Sequence, residues 1–133
     1  MLWLLDLIGA SRPPPQFPDF FKSTSRWHKE LIATEKKLKK EGIWSGSTQG
    51  NPFFNSEEGG QIEDDHTPFL ERGVDILHMI SDPFPSGWHT PNDNKASLDF
   101  RTIENLNRIV RVYIVQYLHL MGLFKFSKHG HDS

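Results

Sequence analysis

Asp6 is a carboxylate inside the otherwise apolar run 2–8 of this sequence. Burying a carboxylate costs free energy unless the group is paired, hydrogen-bonded or protonated. The carboxyl ends of parallel strands are also where the sites of α/β proteins gather. Two interpretations stay open: a carboxylate that takes part in acid–base chemistry, and a structural one that accepts hydrogen bonds from loop amides.

A second polar cluster, Glu-Asp-Asp-His at 63–66, lies between Ile62 and the apolar segment 68–70. Neighbouring carboxylates raise one another's pKa and can share a proton, which suits general acid–base catalysis. A run of acidic residues is also typical of a solvated turn, and the cluster taken alone favours the turn.

Residues 82–90 combine the aromatic side chains of Phe84 and Trp88 with the imidazole of His89. A loop histidine beside aromatic residues can bind a metal ion whose access to solvent the aromatic shell controls. His89 alone is not sufficient, because a catalytic zinc site normally has three protein ligands. His78 lies inside an apolar segment, which favours a buried core histidine over a ligand.

Two apolar segments predict the strands that position these groups. Residues 2–8 end at Gly9 and the proline-rich segment 11–15, and residues 74–80 form a second run. Strands buried on both faces are typical of parallel sheets in α/β proteins. The run 2–8 lacks the basic start and unbroken apolar core of a signal peptide, so a strand is preferred. A parallel sheet cannot start with one strand, so residues 1–133 are expected to be part of a larger domain.

A helix is predicted over 23–42, with Ser25 as its N-cap and Gly42 after its last turn. The lysines of that turn suit the helix dipole and favour a solvated helix end over an anion-binding patch. A final helix follows Asp99, with an apolar stripe at Ile103, Leu106, Val110, Tyr113, Tyr117 and Leu120.

The segments 43–60 and 81–96 are predicted to be loops, with Phe53 and Phe54 as anchors in the first. The order strand, helix, loop, strand, loop, helix predicts the α/β class. The 133 residues fit one domain, and 15 Lys and Arg against 17 Asp and Glu give no electrostatic reason to expect a nucleic acid partner. No apolar run is long enough for a membrane span.

The absence of cysteine excludes disulfides and thiolate chemistry. His129 and His131 lie in a segment near the end of the chain that is expected to fray, so a metal site there has little support.

Several segments, all in order, resemble the animal glutaminyl-peptide cyclotransferase (glutaminyl cyclase) family. They are 4–10 (LLDLIGA), 63–70 (EDDHTPFL), 72–74, 77–78, 83–85 and 88–90 (WHT), followed by 98–99, 102–103, 105–107 and 117–120. The resemblance spans nearly the whole chain. It implies a zinc-aminopeptidase-like α/β/α sandwich, of which residues 1–133 form the C-terminal part of a single domain.

The activity that this resemblance implies is an aminoacyl transfer at a zinc ion. The family converts N-terminal glutamine of peptides and proteins, and more slowly glutamate, into pyroglutamate with release of ammonia. His89 matches a zinc ligand, Phe84 and Trp88 match positions that line the pocket for the glutamine side chain, and Ile62 and Glu63 match positions that meet the substrate's α-amino end. The family is secreted or resides in the Golgi, although no targeting signal is recognised here.

The resemblance also implies roles for three further residues. Asp6 and Asp64 match carboxylates that hydrogen-bond to each other and to the family's catalytic glutamate, and His78 matches a histidine that supports the site. Glu63 replaces the glutamine usual in the secreted form, although glutamate occurs in the Golgi relative.

The family's catalytic glutamate and its other two zinc ligands, an aspartate and a glutamate, lie upstream of the Leu-Leu-Asp motif with which this sequence begins. We therefore expect the 133 residues alone to be inactive. Two alternatives stay open: a non-catalytic module that binds peptide N-termini through Phe84 and Trp88, and a related zinc aminopeptidase.

Overall fold

The computed structural model of the chain describes residues 1–120, which form four β-strands and three α-helices. The elements in chain order are β1 (Leu2–Asp6), β2 (Phe17–Asp19), α1 (Ser25–Lys40), β3 (Phe54–Glu58), α2 (Thr67–Leu70), β4 (Ile76–Ile80) and α3 (Phe100–Tyr117). The predicted α/β class is confirmed. His129 and His131 lie outside the described residues.

The predicted parallel arrangement of the two apolar strands is confirmed. β1 and β4 pair in parallel, with Leu2 opposite Ile76 and Asp6 opposite Ile80. Every residue of β4 is buried, as its apolar sequence predicts. β1 ends at Asp6, two residues before the predicted end, because Leu7 has a φ of 53°, which interrupts an extended strand.

The prediction that 43–60 is entirely loop is wrong, because β3 lies within it and pairs in parallel with β2. Neither strand has a clear sequence signal. β2 is three residues long and contains a proline, and β3 is polar after its first residue. Phe17 and Phe54, which face each other in this pair, are both fully buried and hold it in the core.

α1 covers most of the helix predicted over 23–42, but its N-cap is Thr24 rather than Ser25. The Thr24 hydroxyl donates a hydrogen bond of 2.7 Å to the carbonyl of Ile76, which attaches the start of the helix to β4. Asp99 caps α3 as predicted, and its carboxylate accepts a hydrogen bond of 3.0 Å from the Arg101 amide.

The helices and strands share one apolar core. Its buried members are Phe17, Leu31, Leu38, Phe54, Leu77, Met79, Leu106, Ile109 and Tyr113. At the border of this core, Leu5, Ile8, Leu98, Ile103 and Val110 line an apolar groove that opens to solvent. No helix in residues 1–120 is both long and apolar enough to cross a membrane.

Glu35 is a buried carboxylate that joins α1 to the start of β3. Its two oxygens accept hydrogen bonds of 3.0 Å from the amides of Phe53 and Phe54, and Oε1 also pairs with the Lys39 ammonium at 2.6 Å. The charge is therefore compensated by one cation and two amide donors. The predicted anchoring role of Phe53 and Phe54 thus depends on their main chain as well as on their rings.

We expect Glu35→Ala to lower the free energy of unfolding by about 3 kcal/mol, because two amides and one ammonium lose their shared acceptor. Urea denaturation measures the loss. Glu30→Ala, at an exposed position of the same helix, is the control and should stay within about 0.5 kcal/mol of the unchanged protein. Equal losses in the two variants would contradict this role of Glu35.

Candidate functional site

Asp6 and the loop that carries Trp88 and His89 lie at the carboxyl ends of two paired parallel strands. Asp6 is the last residue of β1, and Ser81 begins the segment after β4. Because parallel strands end at the same edge of a sheet, the two segments leave the sheet side by side. Three loop contacts link them: the Ser86 amide and hydroxyl donate to the Arg12 carbonyl at 3.1 and 3.2 Å, and the Asp82 amide donates to the Gln16 carbonyl at 2.9 Å.

Asp64 and His78 form the central polar pair of the site. Asp64 Oδ2 lies 3.0 Å from His78 Nε2, and the His78 side chain is 1% exposed against 18% for Asp64. The Asp65 amide donates to the other oxygen, Oδ1, at 2.8 Å and fixes the carboxylate. Of the two interpretations of the acidic cluster, the structure supports a packed site for Asp64, whereas Glu63 and Asp65 are exposed as in a solvated turn.

His66 completes this cluster, and the sequence analysis gave it no role. It is buried, its ring centre lies 4.5 Å from that of His78, and its other side meets the ring of Phe21 at 5.5 Å. Its position just after three acidic residues and before an apolar segment was the only sequence signal. Nδ1 of His66 and Nδ1 of His78 are both buried with no hydrogen-bond partner among the described residues.

Burial lowers the pKa of His78 below its ordinary value of 6.5, because a charged imidazolium loses its hydration there. The hydrogen bond to Asp64 and the negative charges of Asp64 and Asp6 raise the pKa, while the neighbouring His66 lowers it further. Burial is the largest effect, so the ring is favoured in its neutral form. A neutral His78 can donate Nε2–H to the carboxylate of Asp64.

Asp6 acts on this pair through its charge. Its Oδ1 accepts a hydrogen bond of 2.8 Å from the amide of Leu7, which agrees with the structural interpretation of this residue. Its effect on the His78 pKa places it in the same electrostatic environment, which agrees with the functional one. Within residues 1–120 no hydrogen bond joins Asp6 to Asp64, and the predicted bond between them stays a prediction.

Phe84, Trp88 and His89 come together as the sequence predicts. The rings of Phe84 and Trp88 meet edge to face at 4.9 Å, and the rings of Trp88 and His89 stack at 3.7 Å. Trp88 is 40% exposed, and His89 has a φ of 55°, an unusual value for a residue other than glycine. Backbone strain of this kind is found at functional sites.

A cavity of about 580 Å³ opens between the end of β1 and the aromatic loop. Asp6, Arg12, Trp88 and Asp93 are among the residues that line it, together with residues 7–11 and 85–87. Its size suits the end of a peptide chain, and it combines an aromatic surface with carboxylates. Of the predicted site residues, Asp6 and Trp88 line this cavity. The other six do not, namely Ile62, Glu63, Asp64, His78, Phe84 and His89.

His89 does not form a metal site with the other described residues. In residues 1–120 the single group of three ligand-type side chains that approach within 4.8 Å of one another is Asp64, His66 and His78. Zinc at bond lengths of 2.0–2.2 Å normally needs three protein ligands in a catalytic site. The described residues therefore do not fit a zinc ion at His89 by themselves, and Asp64 and His78 already satisfy each other as a hydrogen-bonded pair.

Comparisons with known proteins identify the family of the chain. The profile of peptidase family M28 matches residues 1–114. The glutaminyl-peptide cyclotransferase of Bos taurus is 50% identical over 121 residues, which cover 90% of this chain and 33% of the relative. The enzyme of the same name from Drosophila melanogaster is 44% identical over 127 residues, covering 89% and 35%. The chain thus spans about a third of the length of the curated relatives that it matches.

Solved structures show the same similarity at the level of the fold. The Macrostomum lignano glutaminyl cyclase superposes with a TM-score of 0.81 at 35% identity, over 89% of this chain and 39% of that one. A leucine aminopeptidase precursor from Bacteroides thetaiotaomicron superposes with a TM-score of 0.60 at 26% identity, over 81% and 34%. The resemblance to glutaminyl-peptide cyclotransferases and the aminopeptidase-like α/β fold are therefore both confirmed.

We expect the His78 ring to titrate below pH 6.5, and two substitutions should move the midpoint in opposite directions. Phe20→Ala uncovers the ring, which lies 5.3 Å from that of Phe20, and should raise the midpoint. Asp64→Asn removes the carboxylate and should lower it further. NMR titration of the imidazole signals gives the His78 midpoint in the unchanged protein and in both variants.

The lowered pKa of His78 also determines how the free energy of unfolding changes with pH. The unfolded chain binds a proton at His78 more readily than the folded chain does, so this residue makes folding less favourable as the pH falls below about 6.5. A midpoint at or above 6.5 in the unchanged protein would contradict the dominance of burial.

Proposed function

Since the chain belongs to peptidase family M28, we propose that it forms the substrate-pocket part of a glutaminyl-peptide cyclotransferase, an aminoacyltransferase that forms pyroglutamate at peptide N-termini. The observation that carries the proposal is the cavity that Asp6 and the Trp88 loop line at the carboxyl edge of the β1–β4 sheet, with the Asp64–His78 pair held on β4. Residues 1–133 would be the C-terminal part of one zinc-aminopeptidase-like domain.

The reaction joins two ends of the same residue. The α-amino nitrogen of an N-terminal glutamine attacks its own γ-carbonyl carbon, a new C–N bond closes the ring, and the bond to the side-chain nitrogen breaks. One proton moves from the amine to the leaving nitrogen, which departs as ammonia. A pocket that holds both ends together removes much of the entropic barrier.

The Trp88 loop supplies the surface for this pocket. The indole of Trp88, which contacts Phe84 and stacks on His89, keeps exposed apolar surface beside the cavity, which suits the methylene part of a glutamine side chain. Asp6, which also lines the cavity, offers a carboxylate to the amino end of the substrate. Ile62 and Glu63, which lie outside the cavity lining, would approach the amino end from the segment before Asp64.

Asp6, Asp64 and His78 fit the role of positioning residues. The carboxylates bring negative charge close to a neutral imidazole, and such a cluster tunes the pKa of an acid–base group held beside it. In the resembling family that group is a glutamate upstream of the motif at 4–10. We propose that the three residues hold and tune it and do not transfer the substrate proton themselves.

Zinc dependence belongs to the same proposal and rests on the resemblance. When bound, zinc would supply Lewis-acid polarisation of the γ-carbonyl. His89 would be one ligand, and the remaining ligands would have to come from outside residues 1–120, because the described residues build no three-ligand group around it. A secreted or Golgi location likewise remains a proposal.

We expect the chain to bind a glutamine-initiated peptide, and Trp88→Ala to weaken binding on the order of tenfold by removing the aromatic wall. Calorimetry measures both affinities. Phe100→Ala is the matched control, since this aromatic residue is 63% exposed and lies outside the cavity. Binding should favour the glutamine-initiated peptide over a leucine-initiated one, and the opposite preference would favour the aminopeptidase alternative.

A turnover assay separates the remaining alternatives. With zinc added, we expect the chain alone to form no more pyroglutamate than His89→Ala, because the described residues offer no complete zinc site. Ammonia release and mass change follow cyclisation, while release of the first residue would identify a peptidase. Turnover above that of the variant would overturn the expected inactivity. Peptide binding without turnover, in a protein that also supplies the missing zinc ligands, would favour the non-catalytic module.

A further inference from the structure

The outer face of α1 carries a continuous stripe of cations. Because an α-helix turns by about 100° per residue, one arc of about 100° holds five exposed cationic side chains and a single alanine. We call this arc the cationic stripe; its charged members are Arg26, Lys29, Lys36, Lys37 and Lys40. It runs for about 21 Å along the helix.

The helix dipole accounts for only one half of this stripe. Lys37 and Lys40 lie in the last turn, where cations suit the partial negative charge of the helix end. Arg26 and Lys29 lie near the start of α1, where cations are unfavourable, and the first turn contains no acidic residue. A solvated helix end therefore does not explain the whole stripe.

No cation of the stripe forms an ion pair within 4.0 Å in residues 1–120, although the exposed Glu30 lies one turn after Arg26 at the edge of the arc. Among residues 1–120, the ion pairs of Lys and Arg within 4.0 Å involve Lys22, Lys39 and Arg108, none of which belongs to the stripe. Arg26 contacts the face of Trp27 at 4.3 Å, an interaction that does not neutralise its charge. Like charges three or four residues apart, such as Lys36 and Lys40, destabilise a helix. This cost is unmatched while the stripe has no anionic partner.

The stripe cannot turn inward, because the opposite face of α1 forms part of the core. His28, Leu31, Glu35 and Leu38 are buried on that face. The cations therefore point outward along one side of the helix, in a protein whose formal net charge is −2. An elongated strip of cationic side chains matches a linear polyanion that presents charges along its length.

We propose that the cationic stripe of α1 binds a linear sulfated polysaccharide. The stripe contains no aromatic residue on which nucleic acid bases could stack, unlike the surfaces that bind single strands. It contains no apolar residue larger than Ala33 that could enter a lipid layer, unlike helices that lie in membranes. Charge without stacking or insertion fits sulfate groups. The proposal does not depend on the cyclotransferase function.

The test compares two triple variants of the whole chain in binding to heparin oligosaccharides. Lys29→Gln, Lys36→Gln and Lys40→Gln together remove three charges from the stripe. Lys22→Gln, Lys95→Gln and Arg111→Gln together remove three exposed charges elsewhere. Fluorescence anisotropy at low and physiological salt gives the affinities, and thermal unfolding by circular dichroism checks the fold.

The stripe variant should lose affinity on the order of tenfold or more and show a smaller salt dependence, because fewer counterions are released on binding. The control variant should stay within about twofold of the unchanged protein. The stripe variant should also unfold at the same or a higher temperature, since like-charge repulsion is removed. Replacing the same three lysines by arginine should retain binding.

Three results would overturn the proposal. These are no measurable binding by the unchanged protein at low salt, equal losses in the two triple variants, and tighter binding to vesicles of anionic phospholipid or to single-stranded RNA than to the oligosaccharide. The first would show that the stripe does not bind the polyanion, and the second that only the overall charge matters. The third would assign the stripe to a different class of partner.

Discussion

The parallel register of β1 and β4 sets the geometry of the candidate site. Asp6 lies opposite Ile80, so both strands end at the same level and the segments that follow them leave the sheet together. A shift of one residue would turn the side chains of a strand to the other face. His78, two residues before the end of β4, would then no longer face Asp64. The positions of Asp6, Asp64 and the Trp88 loop all depend on this pairing.

Burial and the nearby carboxylates shift the pKa of His78 in opposite directions. The site buries an imidazole deeply enough to favour its neutral form, and yet it places a carboxylate 3.0 Å from the ring. Phe20 and Phe21 exclude water from the two histidines, which strengthens the electrostatic interactions between them and Asp64.

The sequence predicted the elements whose signals are local. Both β1 and β4 were recognised from continuous apolar runs, and α3 from its cap at Asp99 and its apolar period. β2 and β3 were missed because three residues with a proline and a polar five-residue strand carry no pattern of their own. Their pairing depends on Phe17 and Phe54 meeting in the core, a contact between distant residues.

The same distinction applies to the site. The types of residue at Asp6, Asp64 and His89 suggested chemistry, and the resemblance suggested which roles they fill. The contact between His66 and His78 could not be predicted, because it joins the start of α2 to the middle of a strand ten residues later. The role of the buried carboxylate of Glu35 could not be predicted either, since the amides that donate to it are brought there by the packing of α1 against β3.

β1 forms one edge of its two-stranded sheet in the described part of the chain, and the apolar groove beside it is open. Leu5 is 38% exposed and Leu98 41% exposed along that side. An edge strand with free main-chain groups and neighbouring apolar side chains is a template on which further strands add. Concentrated solutions of this polypeptide should therefore aggregate by pairing along β1. Low concentration or a solubilising fusion would limit this aggregation.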